Sequence, residues 1–377
     1  HPYSLSYSAK RQQLAIMMFD QHFEHQLLLV DVNSNAQTHV PFSPGKGNNF
    51  WSRWPLRWNA NHDGFITSTS NKLLHVDLSG QVVEQSIPTY KYVLLPEYHP
   101  DGERIALTLG YVDRDISEIN WNKANQTTST VHHRSFKRES FARFKPNSEE
   151  IAFISDRSGH KQLWLGEGKT LKQLSQFNDD ESIVHYVWSP GGTQIAALVN
   201  QQLRITHLDR QWENIELPGS LIKIFQWLPD NTLLLATLND DQHALIKLNL
   251  NTGQILHIRH GFVRWAQQTI EGKIVLTTKD NKISVFNQHG IIVQNEPMTS
   301  HLTSADIAGK FLFHNNAIYW LSSNNIFSKY ELTTGEIEPL FTVSQQEAAL
   351  GDIDINNNRL LITHTVSTNK EIVLLHH

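Results

Sequence analysis

The chain has 377 residues, a formal net charge of -5, and 39% hydrophobic against 18% charged residues, so its composition is globular and not disordered. Lysine and arginine are scattered without a basic stripe, which argues against a surface that contacts nucleic acid. Cysteine is absent, excluding disulfides and zinc–thiolate sites, and no apolar run approaches the roughly 18 residues of a membrane span.

From the N-terminus onward one module recurs. It consists of an aromatic residue, a turn rich in Pro, Gly, Asn or Asp, an apolar run, a polar loop and a second β run. Weak copies open at Tyr7 (YSAKRQQLAIMMFD) and Trp58 (WNANHDGFITSTS). Stronger ones open at Tyr98 (YHPDGERIALTLG), Phe144 (FKPNSEEIAFISDRSGHKQLWL), Trp188 (WSPGGTQIAALVN) and Trp227 (WLPDNTLLLATLN), and another weak one at Trp265 (WAQQTIEGKIVLTT). The second strand of each unit begins near Leu14, Phe65, Ile105, Ile151, Ile195, Leu233, Ile274, Ala317 and Leu360, at intervals of 38 to 51 residues. That is the length of one propeller blade.

PDG, PNS and PGG supply the turn between two strands. The IAF, IAL and IAA runs that follow are continuously apolar, as a strand covered on both faces requires. Each unit alone leaves two apolar faces and must stack on its neighbours. Helical periodicity is not sustained anywhere. The expected fold is therefore all-β, a single β-propeller domain over residues 1–377 with about eight to nine four-stranded blades. The last unit stops after its third strand, and the outer strand that would complete the ring is expected upstream of His1.

Two insertions depart from the repeat. The link PGKGNNFWSRWPLRW places Trp51, Arg53 and Trp54 outside the motif, whereas Trp58, like Trp188, Trp227 and Trp265, holds a blade-packing position. The stretch GYVDRDISEINWN after the second strand of the third unit reads as an extended loop carrying Tyr111, Asp113, Arg114, Asp115 and Trp121, with Tyr90 and Tyr92 in the connection before it. Trp, Tyr and Arg supply most of the energy of binding surfaces, so a protein, peptide or small-molecule ligand is expected on this loop-rich face. An ion-paired loop is the competing account of Asp113, Arg114 and Asp115. His132, His133, Arg134, Lys137 and Arg138 read as a solvated loop.

Catalytic and metal motifs are weak. Gly45-Lys46-Gly47 lacks the phosphate-loop spacing, and DIDINNN from Asp352 alternates like a strand and lacks the distal Glu of a calcium loop. His132 and His133 are adjacent, not at helical metal spacing, and no G-x-S-x-G occurs. No catalytic residue, metal-ligand set or cofactor is assigned, and a non-enzymatic protein is expected.

FKPNSEEIAFISDRSGHKQLWL resembles the repeat of TolB-like periplasmic propellers, which run aromatic-S-P-D-G-x-x-I-A-F-x-S-D-R-x-G-x-x-x-I-W, and the likeness is also strong at residues 98–110 and 188–198. TolB carries six such blades behind an N-terminal domain. The larger repeat count and Asn/Gln/His-rich style look more like the C-terminal propeller of membrane-anchored winged-helix regulators of the ToxR/CadC type. That resemblance implies a periplasmic sensor domain with a membrane anchor upstream of His1. A free periplasmic scaffold and a lactonase- or quinoprotein-like propeller enzyme are the alternatives.

Overall fold

The computed structural model describes residues 2–19, 25–41, 55–69, 72–89, 91–178, 181–208, 211–278, 283–287, 292–296 (backbone only), 311–314 and 316–376. Among these there is no helix, and hence none long and apolar enough to cross a membrane. The strands form eight antiparallel sheets, seven of them four-stranded meanders in simple chain order. We name the meanders A (residues 2–40), B (57–86), D (139–173), E (183–215), F (220–260), G (265–296) and H (312–342). Sheet C gathers Tyr92–Tyr98, Thr127–His132, Ala349–Asp354 and two long strands, Arg104–Trp121 and Arg359–His376.

The hairpin joining first and second strands follows the repeat. Its backbone closes by His99 N→Arg104 O (2.8 Å), Lys145 N→Glu150 O (2.9 Å) and Ser189 N→Gln194 O (2.9 Å). One turn residue takes a positive φ: Gly102 (77°), Asn147 (58°) or Gly192 (69°). Gly and Asn adopt that region most easily, which is why PDG, PNS and PGG recur there. At Gly192 a Cβ would also sit 2.7 Å from Pro146 O in the preceding sheet's turn.

The chain divides into two compact units, one of His1–Val112 with Ser367–His377 and one of Asp113–Val366, and the boundary falls inside both long strands. In the first unit, sheets A and B share a buried cluster around Met17, Leu27, Trp58 and Phe65. Sheet B and the sheet C segments of this unit share another around Ile66, Leu73, Ile105 and Leu107. Trp58 locks A to B, donating from Nε1 to Ser6 O (3.1 Å).

In the second unit every buried cluster takes residues from two sheets. They join C to D, D to E, E to F, F to G, G to H, and H back to C. Alternate residues of each second strand serve the two neighbours. Ala317, Tyr319 and Leu321 belong to the H–C cluster, and Ile318 and Trp320 to G–H. Ile195, Ala197 and Val199 belong to D–E, and Ala196 and Leu198 to E–F. A strand with period-2 side chains and two covered faces must be apolar at every position, which explains the unbroken runs. Four-stranded sheets stacked through such strands in a closed cycle are the packing of a β-propeller.

All nine expected second strands are present, with the third and ninth units sharing sheet C, and the cyclic packing of the second unit involves six of the eight described sheets. Two expectations need correction. GYVDRDISEINWN is not a loop but the continuation of the 18-residue strand Arg104–Trp121. Ile116 and Ile119 are buried there, and Trp121 packs on Phe341 at 5.4 Å. The one-turn register of the seventh copy is also shifted. Gln268, not Trp265, pairs with Ile274, the position that Trp227 holds opposite Leu233.

Candidate functional site

Trp51, Arg53, Trp54 and Tyr90 lie outside the described residues. Tyr92 opens the strand Tyr92–Tyr98 and pairs with Gly110, and Tyr111 continues the neighbouring strand; both are half-buried in the first unit. Asp113, Arg114 and Asp115 belong to the second unit, in the strand Arg104–Trp121. Strand alternation places Asp113 and Asp115 on one face, with Arg114 on the other.

Asp113 and Asp115 are 2% and 1% exposed, and they meet Glu139, 0% exposed, at the start of sheet D's first strand. One ligand oxygen of each carboxylate lies within 4.8 Å of the others. Arg134 Nε approaches Asp115 Oδ2 at 3.3 Å. Glu139 Oε1 accepts from Ser135 Oγ (2.6 Å), Arg157 Nη2 (2.8 Å) and Ser155 Oγ (3.0 Å). Asp113 Oδ1, Asp115 Oδ1 and Glu139 Oε2 are buried and accept no hydrogen bond from any described residue.

Burial raises all three carboxyls above their usual range. Asp113 raises Asp115 further, while Arg134 and Arg157 pull it back. For Glu139 the hydrogen bonds from Ser135, Arg157 and Ser155 oppose burial without overcoming it. Glu139 was not anticipated from the sequence. Its signal is the S-D-R segment of the same sheet, whose Ser155 and Arg157 both bond to it.

Of the basic cluster expected as a solvated loop, Arg134 lies exposed in the irregular stretch 133–137 and Arg138 is exposed, while His132 and His133 are half-buried and worked into the fold. His132 Nε2 lies 3.1 Å from Glu118 Oε2, and His133 stacks on Phe153 at 5.8 Å. Arg138 N donates to Asp156 Oδ1 (3.0 Å).

A second constellation lines the first strands of the six-sheet cycle. These strands lie side by side, Ala349–Asp354 against Glu139–Phe144, Ile183–Trp188 against Ser220–Trp227, and the latter against Trp265–Gln268. Polar bonds cross from one to the next. Phe144 N donates to Asp352 Oδ2 (3.1 Å), and Arg143 Nη2 donates to His185 Nε2 (3.2 Å). Lys223 Nζ donates to Arg264 O (3.0 Å) and Gln268 N to Gln226 Oε1 (2.8 Å). Burial, and then the charges of Arg264 and Arg143, lower Lys223 to about 8. The Nε groups of Arg143 and Arg264 are buried and donate to no described residue. Three cationic side chains thus share this belt, two of them with a buried Nε that donates to no described residue.

No family model matches the chain, and no curated protein matches it. Among solved structures it is similar to a putative TolB from Agrobacterium tumefaciens, at 11% identity and TM-score 0.47 over 68% of this chain and 99% of that one. It is also similar to a chain of a nidogen/laminin complex, at 8% identity and TM-score 0.45 over 67% of this chain and 98% of that one. A third is the dihydro-heme d1 dehydrogenase NirN, at 12% identity and TM-score 0.39 over 94% of this chain and 74% of that one.

Proposed function

We propose that this protein is a non-enzymatic binding module that takes an anionic ligand at the first strands of its six-sheet cycle. The observation that carries this reading is the set of Arg143, Lys223 and Arg264, with buried guanidinium donors that no described group accepts. A buried donor without an acceptor costs about 1–3 kcal/mol, more when charged. A carboxylate or phosphate oxygen would remove that cost and offset the burial and, after it, the cationic repulsion that depress Lys223. The ligand class is therefore a carboxylate- or phosphate-bearing small molecule or peptide.

The larger setting we propose is extracytoplasmic, as the sensor domain of a membrane-anchored winged-helix regulator. It is supported by the likeness of residues 98–110, 144–165 and 188–198 to TolB-like repeats. Ligand binding would bias the regulator only by its difference in affinity between two arrangements. Reading the open reading frame upstream of His1 tests this part: a cleavable signal peptide alone would replace the regulator by a free periplasmic scaffold.

Calorimetric titration with citrate, inorganic phosphate and an acidic peptide tests the site. Saturable binding of at least one probe is expected, weakened at least about tenfold in Lys223→Met and Arg264→Gln. Affinity indifferent to both substitutions would sink the site, and chemical conversion of the bound probe would make the protein an enzyme.

A further inference from the structure

We infer that Asp113, Asp115 and Glu139 form a binding site for one hard divalent cation of the calcium or magnesium class. The site is separate from the cationic belt and does not depend on the function proposed above.

Proximity of acidic groups alone would carry little. What sets this cluster apart is its burial together with its hydrogen bonding. The three residues are 2%, 1% and 0% exposed, and each keeps one buried oxygen that accepts nothing from a described residue: Asp113 Oδ1, Asp115 Oδ1 and Glu139 Oε2. The remaining contacts fall on other atoms. Glu139 Oε1 is saturated by Ser135, Arg157 and Ser155, and Asp115 Oδ2 faces Arg134. The protein thus satisfies one side of Glu139 and Asp115 while leaving the other side bare.

A bare buried carboxylate oxygen is expensive, and three carboxylates within 4.8 Å of one another add mutual repulsion. The two guanidinium groups nearby, Arg157 and Arg134, leave one negative charge uncompensated, and Arg134 is 58% exposed, where water screens it. Buried carboxylate oxygens with no nitrogen or sulfur donor among them suit hard cations, with backbone oxygens or water completing the shell. Ser135 and Ser155, by holding Glu139 Oε1, orient the carboxylate in the way outer-shell hydrogen bonds orient metal ligands. The sites on strands Arg104–Trp121 and Glu139–Phe144 lie in sheets C and D, so the ion would pin two neighbouring sheets of the cycle together.

The competing account is a proton shared among the three carboxyls. Asp113→Asn separates the two, because no described residue hydrogen-bonds to this side chain and the amide keeps its shape. Chelator-treated protein is titrated with calcium, magnesium and manganese chloride, followed by calorimetry and thermal melting. One ion per chain is expected, with a melting temperature that climbs with the ion concentration. Asp113→Asn and Asp115→Asn should each weaken the ion at least about tenfold while melting higher than chelated wild type when no ion is present. Manganese binding read by electron paramagnetic resonance gives a count that does not depend on stability. The inference is overturned by wild-type protein that shows no saturable binding of any of the three ions. It is equally overturned by binding that both variants retain at full strength, which would put the ion elsewhere.

Discussion

Lys223 shows how a single side chain reports on the belt it sits in. Burial and the neighbouring Arg264 and Arg143 bring it down to about 8, well below the ordinary lysine range. In the folded protein it therefore holds its proton less tightly than in the unfolded chain. Between about 8 and the usual lysine value of about 10.4 the unfolded state binds more protons, so stability without ligand rises with pH across that window. Burial lowers Lys161 to about 8 as well, so Lys223→Met should reduce this rise without abolishing it while leaving the protein at least as stable at pH 7; urea denaturation at pH 7 and 9.5 would read both effects. A wild-type stability that falls between those two pH values would contradict the placement of Lys223 among cations. The carboxyls of Asp113, Asp115 and Glu139 run the other way: raised by burial, they cost stability as pH climbs above the ordinary carboxylate range. Asp113 and Asp115 stood out in the sequence as charges in an odd place. Glu139 did not, because its partners come together only when sheets C and D pack, which no local pattern records.

At the scale of the strand, most of the fold was legible because two covered faces impose a rule on every residue of the second strand. Leu233, Leu234 and Leu235 go in turn to the E–F, F–G and E–F clusters, and an unbroken apolar run is the only sequence that allows this. The rule failed where polar residues are buried. DRDISE reads as a loop because Asp, Ser and Glu normally face water, yet Asp113, Asp115, Ser117 and Glu118 are all buried along one strand. Close packing of another strand can be tested at Gly166. A Cβ there would fall inside the ring of His133, which lies against Phe153 in a near-parallel stack with 17° between the planes. Gly166→Ala should cost about 1–3 kcal/mol by overpacking. His133→Ala loses the stack but opens the space, so in the double variant the two losses should fall short of their sum by at least about 0.5 kcal/mol. Strict additivity in guanidinium denaturation would show that the ring and the glycine do not meet.

The six-sheet cycle of the second unit closes in sheet C, where strands from far apart in the chain meet. Arg359 donates to Glu118 from Nε (2.7 Å) and Nη2 (3.1 Å) across 241 residues of sequence. Its guanidinium also lies over the Phe144 ring of sheet D at 4.6 Å and pairs with Glu149 (2.8 Å). The repeat count suggested an incomplete last unit awaiting an outer strand from elsewhere. In the structure that unit's second strand is joined by Arg104–Trp121, so the third and ninth units complete one sheet between them. Closing a loop of this length is not prohibitive, since the entropic cost grows only with the logarithm of its length. The bond at the seam nevertheless has to be specific, and a bidentate guanidinium–carboxylate pair supplies direction as well as energy. With Glu118 8% exposed and Arg359 13% exposed, removing one partner strands the other charge away from water. Arg359→Gln should therefore destabilise the protein by about 3–5 kcal/mol. Burial acts upward on Glu118, but the hydrogen bonds from His132 and Arg359 and the charge of Arg359 outweigh it and hold the carboxyl at about 2. A carboxyl depressed in this way stabilises the fold fully above the ordinary glutamate range and progressively less as pH falls towards about 2. The gap between wild type and Arg359→Gln should accordingly be widest near pH 7 and shrink between about pH 4.5 and pH 2 as the unfolded and then the folded carboxyl takes up a proton. Denaturation of both proteins at pH 7 and pH 3 measures it. A gap of the same size at both values would mean that the seam is held by apolar packing between sheets H, C and D, with the ion pair contributing little.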